Sequence, residues 1–306
     1  MMEIQRYLAE EVAEDHADGI ITRREAMRRL GLLGVGSAAA SALLAGPVAQ
    51  AGAHSSHRPG RGPSHDDGTV VEWAPVPTEA ITFPGPNGTL MAAFAPASHP
   101  LGGLLVIHEN RGLTDHIRVV AGRFAAAGYS ALAIDLLSEE GGTAAIGGEA
   151  EVGAILASVP PERFDADMKA GVTELARRLP GERLAAIGFC FCGGMVWRLL
   201  AAGERRPSAA APFYGPFPEG GDLRRAKAAV LGVYGGLDTR VGATRPAAQA
   251  AIAAAGLRSR ILVFTQADHA FFNDTTARFN APAAAEAYRQ TLRWFGKFVA
   301  TPRSHR

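Results

Sequence analysis

Short, continuously apolar runs recur along this chain, all but one followed by a stretch with helical spacing, and this alternation constrains the fold more than any other feature. Residues 103–108 (G-L-L-V-I-H), 130–134, 184–188, 209–214, 229–234 and 260–264 are runs of this kind. A strand covered on both faces needs no polar side, so it reads as an unbroken apolar run and not as an alternating one. Between and after these runs, residues 117–127, 164–179, 193–202, 243–255 and 281–299 carry helical spacing, the first closed by Gly128 and the second by Pro180-Gly181. Strand and helix in alternation predict an α/β fold, a mainly parallel central sheet with helices on both faces. Residues 70–73, 80–83 and 90–94 follow one another with only Pro and Gly-Asn breaks between, which predicts antiparallel opening strands. The Gly-rich stretch 137–161 predicts loops with a short helix.

Of the 306 residues, those after the front segment number roughly 250, a length that one large α/β domain can fill. The formal charge is +1, from 31 Lys and Arg against 30 Asp and Glu, so no basic surplus supports nucleic-acid binding. The chain has two cysteines, Cys190 and Cys192, one residue apart. That spacing closes no useful loop and lacks the further ligands of a zinc site, so no metal is expected.

Residues 1–53 read as an export segment. Arg23 and Arg24 stand side by side, a small apolar stretch runs from Leu30 to Ala45, and Ala49-Gln50-Ala51-Gly52-Ala53 offers Ala-x-Ala cleavage sites. The stretch is too short and too rich in Gly and Ala for a membrane span. The segment resembles a twin-arginine signal, although Ala26 and Met27 stand where a bulky apolar pair is usual. That resemblance implies transient contact with export machinery and a place beyond the cytoplasmic membrane: periplasmic, cell-envelope or secreted. The alternative is an amphipathic helix over residues 3–33 in a cytoplasmic protein. Residues 54–68 (H-S-S-H-R-P-G-R-G-P-S-H-D-D-G) have no apolar anchor and predict a disordered linker, leaving 69–300 as the folded domain.

In open parallel sheets, ligands bind at the carboxyl ends of the strands, so the chemistry is sought there. The run 184–188 leads into G-F-C-F-C-G-G and then into a helix, the setting of a nucleophile elbow that exposes one side chain above the sheet. Cys190 occupies the nucleophile position, at a helix N-terminus that favours its thiolate. The N–H of Phe191 is placed to meet an oxyanion. Downstream, Asp238 in G-G-L-D follows one buried run and His269 in A-D-H-A-F-F-N follows the next, giving the order nucleophile, acid, histidine. Asp268 is the competing acid. Asp238 is preferred because an orienting carboxylate approaches the imidazole from across the rim.

These residues resemble the dienelactone hydrolase family over about residues 75–298, on four motifs: H-E-N-R-G-L, G-F-C-F-C-G-G, G-G-L-D and D-H-A-F-F-N-D. The resemblance implies an α/β-hydrolase fold with no cofactor. It further implies that Glu109 contacts the resting thiol and helps it ionise, and that the N–H of Asn110 is the second oxyanion donor. Two departures stand out. Cys192 occupies an elbow position where the family usually carries Gly. Asn273 stands where dienelactone-cleaving members carry an arginine that holds the substrate carboxylate. Arg111 and Arg163 are candidates to replace that arginine, and Tyr214 is a further candidate on the substrate side.

The expected activity is hydrolysis of a small-molecule ester or lactone by a monomer, through an acyl-enzyme on Cys190. Two other classes compete with it: a dithiol redox protein using Cys190 and Cys192, and a binding protein that keeps the fold without the activity.

Overall fold

The computed structural model describes residues 2–45 and 74–300, and the chain divides into two compact units, Met1–Glu72 and Trp73–Arg306. The small-residue run at 49–53, the linker 54–68 and the opening strand at 70–73 lie outside the described residues.

In the first unit, three helices form: α1 (Glu3–Ala17), α2 (Arg23–Leu32) and α3 (Ser37–Leu44). The break before α2 comes from Thr22, whose hydroxyl accepts the N–H of Glu25 at 3.2 Å and caps the helix. Arg23 and Arg24 therefore lie in the first turn of a helix and are exposed. Glu25 draws Arg28 and Arg29 to itself, at 2.9 and 2.8 Å, and these partners hold its carboxyl at about 2. The helix ends where Gly34 takes φ +76°, with Val35 N–H bonded to Leu30 O at 2.9 Å. The apolar stretch read as one segment from Leu30 to Ala45 is thus divided between two helices. Among the described residues, no helix is long and apolar enough to cross a membrane.

The second unit is built on one eight-stranded sheet in the order β1-β2-β4-β3-β5-β6-β7-β8. Its strands are β1 (Glu79–Gly85), β2 (Gly88–Ala95), β3 (Gly102–Ile107), β4 (Tyr129–Asp135), β5 (Leu184–Phe189), β6 (Pro207–Phe213), β7 (Ala229–Gly235) and β8 (Ser259–Phe264). β1 and β2 pair antiparallel, β2 meets β4 antiparallel, and every later pairing is parallel. Every residue of β3, β4, β5 and β7 is buried, as continuous apolar runs require. The two outer strands carry Glu79 and Pro84 at one edge and Ser259 and Arg260 at the other, and a charge or a proline discourages pairing with another chain. The connecting helices are α4 (Asp115–Ala126), α5 (Glu149–Ser158), α6 (Pro161–Arg178), α7 (Phe191–Ala201), α8 (Thr239–Gly242), α9 (Arg245–Ala254) and α10 (Ala281–Phe298). The arrangement is the mainly parallel sheet expected from the alternation, in the α/β-hydrolase form that the resemblance implies.

The stretch 137–161 holds, as expected, loops and a short helix: two 3-10 turns, Ser138–Glu140 and Thr143–Ala145, and then the ten-residue helix α5. The turns exist because Asp135 ties them down: its Oδ1 accepts Leu137 N–H and Thr143 Oγ1–H, at 3.1 and 2.8 Å, and its Oδ2 accepts Thr143 N–H at 2.8 Å. The helix expected over 243–255 is α9, begun by Pro246 in its first turn, and an unexpected one-turn helix, α8, precedes it, capped by Asp238 through Val241 N–H at 2.9 Å. The helix after the elbow begins two residues earlier than expected, at Phe191.

Strand order also locates the site. β3 lies between β4 and β5, so the chain leaves β3 to one side and returns to the other. The loops after β3 and β5 diverge there and open a crevice at the carboxyl ends.

Candidate active site

Strand register brings three of the singled-out residues together. Ile107 pairs with Gly188 and Phe189 with Phe213. Continuing each pairing past its strand end sets Glu109 beside Cys190, and Cys190 beside Tyr214. The titration of Tyr214 reports the same neighbourhood: burial first, then the negative charges of Glu109 and of ionised Cys190, push its hydroxyl well above the usual phenol range. Tyr214 is therefore a neutral hydroxyl beside the thiol, and its ring meets that of His269 edge to face at 5.3 Å.

The turn carrying Cys190 is strained. Its φ is +56° and ψ −127°, a region a residue with a Cβ seldom enters, and it caps α7 directly. The backbone is held in place by Cys190 N–H to Phe213 O at 3.1 Å and Gly193 N–H to Cys190 O at 2.9 Å. Close approach of the β6 loop makes this possible: a Cβ on Gly215 would stand 2.0 Å from Gly193 C, and one on Gly193 only 2.3 Å from Phe213 O. Glycine is required at both positions. Cys190 itself is 3 % exposed. Cys192 is fully buried, and neither cysteine is in a disulfide.

Across the rim, His269 Nδ1 lies 2.7 Å from Asp238 Oδ2, with both side chains buried. Burial alone would raise the Asp238 carboxyl, but the charge and hydrogen bond of His269, with Arg240 and Val241 N–H, hold it below the usual carboxylate range. Asp268 turns elsewhere and accepts the N–H of His269 at 2.7 Å. Of the two acids considered, Asp238 is the one that meets the imidazole. A ring nitrogen of His269 and the sulfur of Cys190 lie within 4.8 Å, and since Nδ1 is engaged with Asp238, Nε2 is the nitrogen left for the thiol.

Glu109 is fixed from both ends. Its backbone carbonyl accepts Gly112 N–H at 3.1 Å and the Nδ1–H of His108 at 2.6 Å. His108 Nε2 accepts Leu136 N–H at 3.1 Å, and burial pushes the imidazole down, which keeps it neutral in the tautomer these two bonds require. The Glu109 carboxylate accepts Asn273 Nδ2–H at 2.6 Å through Oε2, while its buried Oε1 has no hydrogen-bond partner among the described residues. Sequence reasoning gave His108 and Asp135 no role. Each closes a buried strand, and a polar residue there was the available signal.

The arginines proposed for substrate binding are engaged elsewhere. Arg163 grips Glu140 through two hydrogen bonds, at 2.5 and 3.0 Å, with Glu139 and Asp167 at 3.5 and 3.7 Å. Arg111 pairs with Glu149 at 3.2 Å. Asn273 is buried and faces Glu109, so it too is not an open substrate contact. Asn110 lies in the loop after β3, and Phe191 opens the first turn of α7. Among the described residues of this unit, no three His, Cys, Asp or Glu ligand atoms converge as a metal centre requires.

Comparison with known proteins agrees with this architecture. A family model described as "Dienelactone hydrolase family" matches residues 90–299. A Yersinia pestis protein named "Putative carboxymethylenebutenolidase" is 30% identical over 231 residues, 70% of this chain and 86% of that one. One of the same name from Escherichia coli O157:H7 is 29% identical over 247 residues, 76% of this chain and 89% of its own. Among solved structures, a Klebsiella pneumoniae protein described as a dienelactone hydrolase superposes with a TM-score of 0.65 at 26% identity, covering 72% of this chain and 98% of that one. A dienelactone hydrolase from Anabaena variabilis shares the fold, with a TM-score of 0.56 at 19% identity over 72% of this chain and 98% of its own.

Proposed function

As the chain belongs to the dienelactone hydrolase family, we propose that it hydrolyses small esters or lactones through a thioester formed on Cys190. His269 Nε2 takes the thiol proton, and the thiolate attacks the substrate carbonyl carbon. The N–H groups of Phe191 and Asn110 receive the oxyanion, where fixed donors in a dry site act most strongly. As the tetrahedral adduct collapses, His269 returns the proton to the departing alkoxide, and the alcohol leaves. Water, deprotonated by the same nitrogen, then cleaves the thioester, releasing the acid and restoring the thiol. Asp238 keeps the imidazole in the right tautomer and supports its charge. Glu109, beside Cys190, holds the resting thiol in reach of His269.

One observation carries this reading: the buried 2.7 Å contact between His269 and Asp238 on the same rim as a strained, helix-capping cysteine. The test is hydrolysis of a panel of lactones and activated esters before and after alkylation with iodoacetamide. Activity lost in proportion to alkylation is expected. Activity that instead requires added oxidant or reductant would favour the dithiol reading.

We also propose that residues 1–53 direct export through the twin-arginine route. Two adjacent cations in the first turn of a helix oppose the helix dipole, so their placement serves something other than helix stability. Changing Arg23 and Arg24 together to lysine is expected to retain the full-length chain in the cytoplasm. Wild-type protein found in the cytoplasm with its first residues intact would contradict the proposal.

A further inference from the structure

We infer that the site selects acyl groups carrying no carboxylate, a narrowing that rests on the hydrolase reading above. The argument starts at Asn273. Its amide is locked in one orientation, since Oδ1 accepts Thr275 N–H and Oγ1–H at 2.9 and 2.6 Å while Nδ2–H donates to Glu109 Oε2 at 2.6 Å. A neutral amide steadies the Glu109 carboxylate without cancelling its charge. The other oxygen of that carboxylate is buried and accepts no hydrogen bond among the described residues, so it attracts donors and repels acceptors.

The cations that could offset it are engaged. Arg163 is surrounded by Glu140, Glu139 and Asp167, and Arg111 is paired with Glu149. Arg240 lies near enough to Asp238 for its charge to favour that carboxylate. A substrate carboxylate entering beside Cys190 would therefore meet the Glu109 charge with neither Arg163 nor Arg111 to receive it. Two like charges about 6 Å apart at an effective dielectric near 20 repel by enough to slow such a substrate roughly 100-fold.

The experiment uses two esters that differ only in that charge: mono-4-nitrophenyl glutarate, whose far carboxylate is free, and its methyl-capped diester, both followed by nitrophenolate release. In the wild-type protein, kcat/KM for the capped ester is expected to exceed that for the free acid by roughly 100-fold, after correction for their uncatalysed rates. In Glu109→Gln both rates fall, and the ratio is expected to shrink by at least about tenfold because the charge is gone and the shape is kept. A wild-type ratio near one, or a preference for the free acid, overturns the inference and turns attention to Arg240. A ratio unchanged in Glu109→Gln also overturns it, by showing that shape and not charge discriminates. Failure to cleave either ester, with the thiol intact, is a different result: it removes the hydrolase reading itself and this inference with it.

Discussion

Cys190→Ala is expected to lower ester hydrolysis by at least about 10³-fold while leaving the fold intact. The strain at this position belongs to the backbone, with φ at +56°, and the clamps that hold it, Phe213 O and Gly193 N–H, are main-chain groups. Alanine keeps both clamps and loses only the sulfur. Without a nucleophile, what remains is oxyanion stabilisation and substrate binding, which act weakly on water attack alone. Thermal unfolding and far-ultraviolet circular dichroism should match the wild type. A variant that keeps more than a tenth of wild-type kcat would remove Cys190 from the mechanism.

Asp238→Asn is expected to cost about 10²–10⁴-fold in kcat, the range seen when an orienting acid is lost from a triad. The carboxylate accepts from His269 Nδ1 and from Val241 N–H through different oxygens. An amide cannot accept at both places. If its oxygen keeps Val241, its NH₂ faces Nδ1 and forces the proton to Nε2, the nitrogen that must take the thiol proton. Asp268→Asn, by contrast, is expected to change kcat by only a few fold, because an amide oxygen can still accept the His269 N–H that Asp268 receives at 2.7 Å. Steady-state kinetics on the two variants decide between the acids. A silent Asp238→Asn with a severe Asp268→Asn would reverse the assignment.

The sheet was legible in the sequence because a strand buried on both faces has one spelling. Runs such as G-L-L-V-I-H and L-A-A-I-G-F could scarcely be anything else, and they form β3 and β5. The turns after β4 were not legible, because they depend on Asp135 reaching Thr143, and a side chain folding back on its own loop leaves no periodic mark. The one-turn helix α8 was similarly hidden, since Asp238 serves α8 as a cap and His269 as a partner through one carboxylate.

At the site, the order of Cys190, Asp238 and His269 along the chain could be read, because each follows an apolar run, although the last of these, β8, is an edge strand with no buried residue. What links them across the rim is register. The pairing of Ile107 with Gly188 aligns Glu109 with Cys190, and no local pattern specifies which strands become neighbours. Asn273 shows the same limit most clearly. Sequence alone presented it as a missing cation, whereas its partner, Glu109, lies 164 residues away. For Arg163, the three carboxylates around it come from the 3-10 turn at Ser138–Glu140 and from α6, and the turn was read as loop.

The central claim is a thioester on Cys190, and the most direct measurement is the mass of the protein within one turnover. The wild-type chain is mixed with excess 4-nitrophenyl ester, quenched in acid, digested and analysed peptide by peptide. The account predicts one acyl group added to the peptide spanning Cys190 and Cys192, its fragments placing the group on Cys190, and no adduct in Cys190→Ala. Steady turnover with no acylated peptide, or an acyl group found on Cys192, would contradict it.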